Sequence, residues 1–83
     1  MELTKEQELL IITMEECGEL IQACSKILRY GQDPEKMQQL LEEAGDVQTM
    51  LDLMIEHKLM TIWDVAERCD IKREKLAKWS NLV

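Results

Sequence analysis

Between Thr4 and Glu56 the chain contains only one strong break, Gly31-Gln32-Asp33-Pro34, and the segments on either side are long and helix-patterned. This constrains the fold more than any other feature. Thr4 is suited to cap a helix, with Gln7 three residues on as capping-box partner. The helix runs to about Tyr30, where Gly31 ends it. Asp33 then serves as N-cap and Pro34 as first helical residue of a second helix reaching about Glu56. Two long helices joined by so short a connection pack antiparallel.

The C-terminal part reads differently. His57–Met60 is a connector, Thr61 caps a short third helix through about Cys69, and a fourth runs from about Lys72 to Ser80. The expected architecture is all-α: two long antiparallel helices plus two short C-terminal ones, in a four-helix-bundle-type assembly completed by oligomerisation. With 83 residues the chain is a single domain, residues 1–83, near the size at which small folds lean on partner subunits. Leu51, Leu53 and Met54 lie close to Met50 and Ile55, so this stretch is apolar around too much of its circumference for one neighbour. A homo-oligomer, dimer or tetramer, is expected to cover the remainder.

Stepping three or four residues along the first helix gives Ile12, Glu16, Glu19, Ala23 and Ile27; along the second it gives Glu43, Asp46, Met50 and Leu53. Two acidic pairs thus interrupt apolar stripes and point where core residues point. Unpartnered carboxylates in such positions cost several kcal/mol or more, so they need protons, basic side chains or cations. Antiparallel packing brings the pairs together. Four carboxylates without His or Cys suit a hard cation, Mg²⁺ or Mn²⁺, rather than zinc or copper. A ferritin-like iron site would want Glu-x-x-His, and His57, the one histidine, lies outside both pairs and reads as a C-terminal cap. The competing reading is a solvated acidic helix face. Glu15 and Glu42 turn away by about 100° and are flanking groups.

The motifs Glu15-Glu16-Cys17-Gly18-Glu19-Leu20 and Glu42-Glu43-Ala44-Gly45-Asp46-Val47 resemble the E-x-x-E and E-x-x-D motifs of the MazG-like all-α nucleoside triphosphate pyrophosphohydrolases. The resemblance spans roughly Leu9 to Met54. It implies Mg²⁺-dependent cleavage of a nucleoside triphosphate between the α and β phosphates, releasing the monophosphate and pyrophosphate. Glu16, Glu19, Glu43 and Asp46 would hold the metal, and Glu16 or Glu19 would accept the proton of the attacking water. Phosphate-contacting basic groups are expected on the last helix, at Lys75 and Lys78. The chain is shorter than many members of that family, which leaves the base unassigned.

The net charge of -7 disfavours nucleic acid as a partner. The alternative is a helical interaction module, or a helix-turn-helix DNA-binding dimer built from Thr61–Cys69 and Asp70–Trp79, whose second half is basic. Cys17, Cys24 and Cys69 form neither a disulfide framework nor a zinc motif and read as reduced core thiols. Met37, Met50, Met54 and Met60 read as core filler. Trp63, Trp79 and Tyr30 are candidates to stack on a base, though core or interface positions are the commoner use of such residues. No apolar run approaches the roughly 20 residues that span a bilayer, and the expected location is the cytoplasm.

Overall fold

The computed structural model describes residues 2–83 and contains three helices: α1 (Lys5–Tyr30), α2 (Pro34–Glu56) and α3 (Ile62–Trp79). No strand occurs among the described residues. The fold is all-helical, as expected.

Local chemistry fixes the helix ends. Thr4 Oγ1 accepts from the Gln7 N–H while Gln7 Oε1 accepts from the Thr4 N–H, each at 3.0 Å, a complete capping box. Gly31 takes the left-handed φ of 96° that stops α1, and its N–H donates to the Ile27 carbonyl. Asp33 Oδ1 accepts from the Lys36 N–H at 2.9 Å, with the Lys36 ammonium paired to the same carboxylate. Pro34 follows, pre-set for the first turn.

The end of α2 is a Schellman motif. His57 is the cap residue, Lys58 donates to the Ile55 carbonyl and Leu59 to the Met54 carbonyl. Leu59 then folds back onto the cluster that contains Met54. Lys58 occupies the left-handed position at φ 63°, normally given to glycine.

α1 and α2 form an antiparallel hairpin, the one extensive helix–helix interface among the described residues. Its core lies at the open end, where Leu9 meets Met50 and Met54, with Ile12, Leu53 and Leu59 packed around them. Ala23 is buried farther along α1. No helix is long and apolar enough to cross a membrane.

Three sequence expectations are corrected. The third and fourth helices are one continuous helix, because no Gly or Pro separates Cys69 from Lys72 and nothing there competes for the backbone hydrogen bonds. This continuity removes the turn that a helix-turn-helix requires. The cysteines are free and exposed rather than core thiols, because Cys17 and Cys24 lie on the side of α1 away from α2 and α3 has no buried residue. Of the four methionines assigned to the core, Met50 and Met54 are buried, whereas Met37 and Met60 are exposed.

Candidate metal centre

Antiparallel geometry explains how the two acidic pairs meet. Leu9 and Leu53 belong to the same packed layer. Seven residues forward on α1 is Glu16, and seven residues back on α2 is Asp46. Three more in the same directions reach Glu19 and Glu43. Equal steps in opposite directions stay opposite, so the hairpin pairs Glu16 with Asp46 and Glu19 with Glu43.

The side chains converge accordingly. One carboxylate oxygen from each of Glu16, Glu19 and Glu43 lies within 4.8 Å of the others. Asp46 stands outside that trio, and its negative charge still raises the proton affinity of Glu16. Glu16 and Glu43 are half-buried, while Glu19 and Asp46 are exposed. Glu16 Oε2 and Glu43 Oε2 are each enclosed without a hydrogen-bond partner. An enclosed acceptor without a donor is uncommon in folded proteins and calls for a proton, a water or an ion.

Electrostatics point the same way. Loss of solvent raises the proton affinity of Glu16 above the ordinary carboxylate range, and the negative charges of Asp46, Glu19 and Glu15 raise it further. Glu43 is also raised, first by desolvation and then by its hydrogen-bonding and charge interactions with Glu19, with Asp46 and Glu16 adding to it. No lysine or arginine contributes to either shift. The one ion pair among the described residues, Lys36 with Asp33, lies at the start of α2.

The donor set therefore fits a hard divalent cation: only oxygens, several of them anionic, on two rigid helices, with two unpaired lone-pair donors already enclosed. Glu42, with Glu35, Gln38 and Gln39, lines an open groove of about 450 Å³ that leads from Glu43. A smaller and more apolar cavity, about 210 Å³, lies at the other end of the hairpin among Leu9, Met50 and His57. It shares no residue with the cluster.

The structure does not bring the other expected site residues to this centre. Lys75 and Lys78 lie on α3, which forms no extensive interface with α1 or α2. Tyr30, Trp63 and Trp79 are exposed. Tyr30 lies under Arg29 and Lys36, and Trp79 under Lys72, at 5.2–5.9 Å from ring centroid to cation. Sequence reasoning missed the groove residues Gln38 and Gln39, although their spacing from Glu42 and Glu43 on one face of α2 was a signal that could have found them.

No family model, curated protein or solved structure matches the chain. Its class is defined by the fold and the site alone: a helical hairpin that closes on three carboxylates, Glu16, Glu19 and Glu43, with Asp46 outside the trio.

Proposed function

We propose that this chain is a Mg²⁺-dependent nucleoside triphosphate pyrophosphohydrolase of the MazG-like type, active as a homo-oligomer in the cytoplasm. One observation carries the reading: two acidic pairs face each other across a helix interface, with enclosed, unpartnered oxygens on Glu16 and Glu43 and no basic residue to neutralise them. A structural acidic face would leave its carboxylates in water. Here one oxygen of each, Glu16 Oε2 and Glu43 Oε2, is enclosed instead.

Glu16, Glu19, Glu43 and Asp46 would hold the cation, with Mn²⁺ able to take the place of Mg²⁺. When bound, a divalent cation offsets phosphate charge and lowers the pKa of water. Glu16, which stands beside Glu19 and Glu43, is assigned to accept a proton from the water that attacks phosphorus. Glu19, opposite Glu43, holds the second side of the centre and is the alternative acceptor. The groove beside Glu43 offers the amides of Gln38 and Gln39 to the nucleoside. A triphosphate also needs cationic donors at its outer phosphates, and Lys75 and Lys78 are assigned that role.

The test is incubation of purified protein and Mg²⁺ with a panel of ribo- and deoxyribonucleoside triphosphates, resolving products by ion-exchange chromatography. Monophosphate and pyrophosphate should appear together. Glu19→Gln should lower turnover by at least about 100-fold, the scale on which removing a catalytic proton acceptor or charge stabiliser acts, while the helical circular dichroism stays near wild type. Unchanged turnover in that variant, or none from wild type on any triphosphate, overturns the assignment.

A further inference from the structure

Charge divides the hairpin along its length. Beyond Lys5, α1 carries two basic residues, Lys26 and Arg29, and both follow the acidic pair on the way to the turn. Lys26 lies seven residues past Glu19. Seven residues advance the helix by about 10 Å and return to within about 20° of the same face, so Glu19 and Lys26 share one flank of α1. On the inward stripe between them stands Ala23, 2% exposed, whose single methyl puts nothing bulky between the lysine and the acids.

The pairing across the hairpin extends this picture. The equal and opposite steps that set Glu19 across from Glu43 set Ala23 across from Gln39 and Lys26 across from Lys36. The groove of Gln38, Gln39 and Glu42 on α2 therefore runs beside the same stretch of hairpin that Glu19 and Lys26 bracket on α1. Glu19 and Asp46 are the exposed members of the two acidic pairs, so the centre opens toward solvent at Glu19, on the flank that Lys26 occupies.

The other cations at this end of the hairpin are already engaged. Lys36 pairs with Asp33, and Arg29 lies over the Tyr30 ring. Lys26 is half-buried, yet among the described residues it has neither a carboxylate nor an aromatic partner. Helical side chains lean toward the helix N-terminus, which on α1 directs the four-carbon stem of Lys26 back toward Glu19 and the centre. A partly desolvated ammonium without a counter-ion, beside the mouth of an acidic centre, is placed to receive an anion held there.

We infer that Lys26 is a phosphate-binding residue of this site, a cation built into the hairpin itself that takes an oxygen of the triphosphate chain when the substrate lies across the acidic centre. The inference rests on the function proposed above and adds to it. Lys75 and Lys78 belong to a helix without an extensive interface with the hairpin, whereas Lys26 is held in register with the carboxylates by α1.

Calorimetric titration of inorganic triphosphate into the protein with Mg²⁺ measures this contact without turnover. Lys26→Met keeps a linear side chain and removes the charge; it should weaken the Kd by about 10-fold or more, the scale of a hydrogen bond to a charged group. Lys26→Arg should keep most of the affinity, and Lys5→Met, at the open end of the hairpin, should bind as wild type does. With a nucleoside triphosphate the loss in Lys26→Met should appear in KM with kcat near wild type, the mark of an interaction made equally in ground and transition states. An equal rise in melting temperature with Mg²⁺ in wild type and Lys26→Met checks that the variant folds with its acidic centre intact. Equal affinity for triphosphate in wild type and Lys26→Met overturns the inference. So does an equal loss in Lys5→Met, or a wild type that binds no triphosphate. Binding through Lys26 in a protein that turns over no nucleotide would overturn the pyrophosphohydrolase reading and leave the phosphate site standing, whereas turnover with KM unchanged in Lys26→Met would do the reverse.

Discussion

The hairpin and α3 are capped by the same local rules yet differ in what surrounds them. α1 and α2 each find the other, bury Leu9, Ala23, Met50 and Met54, and close the open end with Leu59. α3 is equally well capped, with Thr61 Oγ1 accepting from the Asp64 N–H at 3.1 Å, yet it has no fully buried residue, and only Val65, Ile71 and Leu76 are partly covered. Caps specify where a helix begins and ends, whereas burial specifies where it belongs. An isolated helix of 18 residues is only marginally stable in water, so α3 leans far less on packing than the hairpin does and is the element expected to fray first.

Substitutions can break this contrast. The largest effect is expected from Ile21→Glu. In a monomer this exposed position tolerates the change to within about 0.5 kcal/mol; in the homo-oligomer proposed above it would set a charge on an apolar face of α1. Analytical ultracentrifugation should show the mass fall to that of one chain, and α3 should lose helicity. Next is Met54→Ala, which removes a buried side chain from the hairpin core and should cost about 2–5 kcal/mol in chemical denaturation. A comparable loss of stability from both variants would show that hairpin and assembly fold as one unit.

The acidic cluster supplies a third test, through pH. Glu16 and Glu43 bind protons more tightly folded than unfolded, so the folded state holds more protons. Without divalent cations, their contribution to stability is most favourable below the unfolded carboxylate pKa and is lost as pH rises through the raised folded values. Asp33 acts oppositely: its hydrogen bonds with Lys36 lower its pKa, and the stability it contributes above the unfolded pKa is lost as pH falls through the folded one. Thermal melts across pH should show the Glu16 and Glu43 effect vanish in the double Gln variant. Mg²⁺ should raise the melting temperature of wild type near neutral pH and leave that variant unmoved. The smallest effect is at Lys58, whose left-handed conformation favours a residue without Cβ; Lys58→Gly should gain about 1 kcal/mol.

Much of the hairpin was legible in the sequence because its determinants are local. Thr4, Gln7, Gly31, Asp33 and Pro34 each act within four residues, and all of them take the positions their chemistry favours. The convergence of Glu16, Glu19 and Glu43 was legible for a related reason: once the turn is short, antiparallel pairing follows, and spacing fixes what faces what. The break expected between Cys69 and Lys72 is absent because no residue there opposes helix. Cys17, Cys24, Met37 and Met60 were misplaced because an apolar side chain announces that it will be covered, not by what. Lys75 and Lys78 lie away from the acids because α3 forms no extensive interface with the hairpin, and helical spacing says nothing of where a third helix docks.

The short link across residues 31–33 also bears on time. Nearly all the tertiary contact of this chain lies within one hairpin, closed by a connection of the length that forms on the sub-microsecond scale. Contacts beside the link close first, whereas the core at the open end, where Leu9 meets Met50 and Met54, joins residues far apart in sequence and forms more slowly.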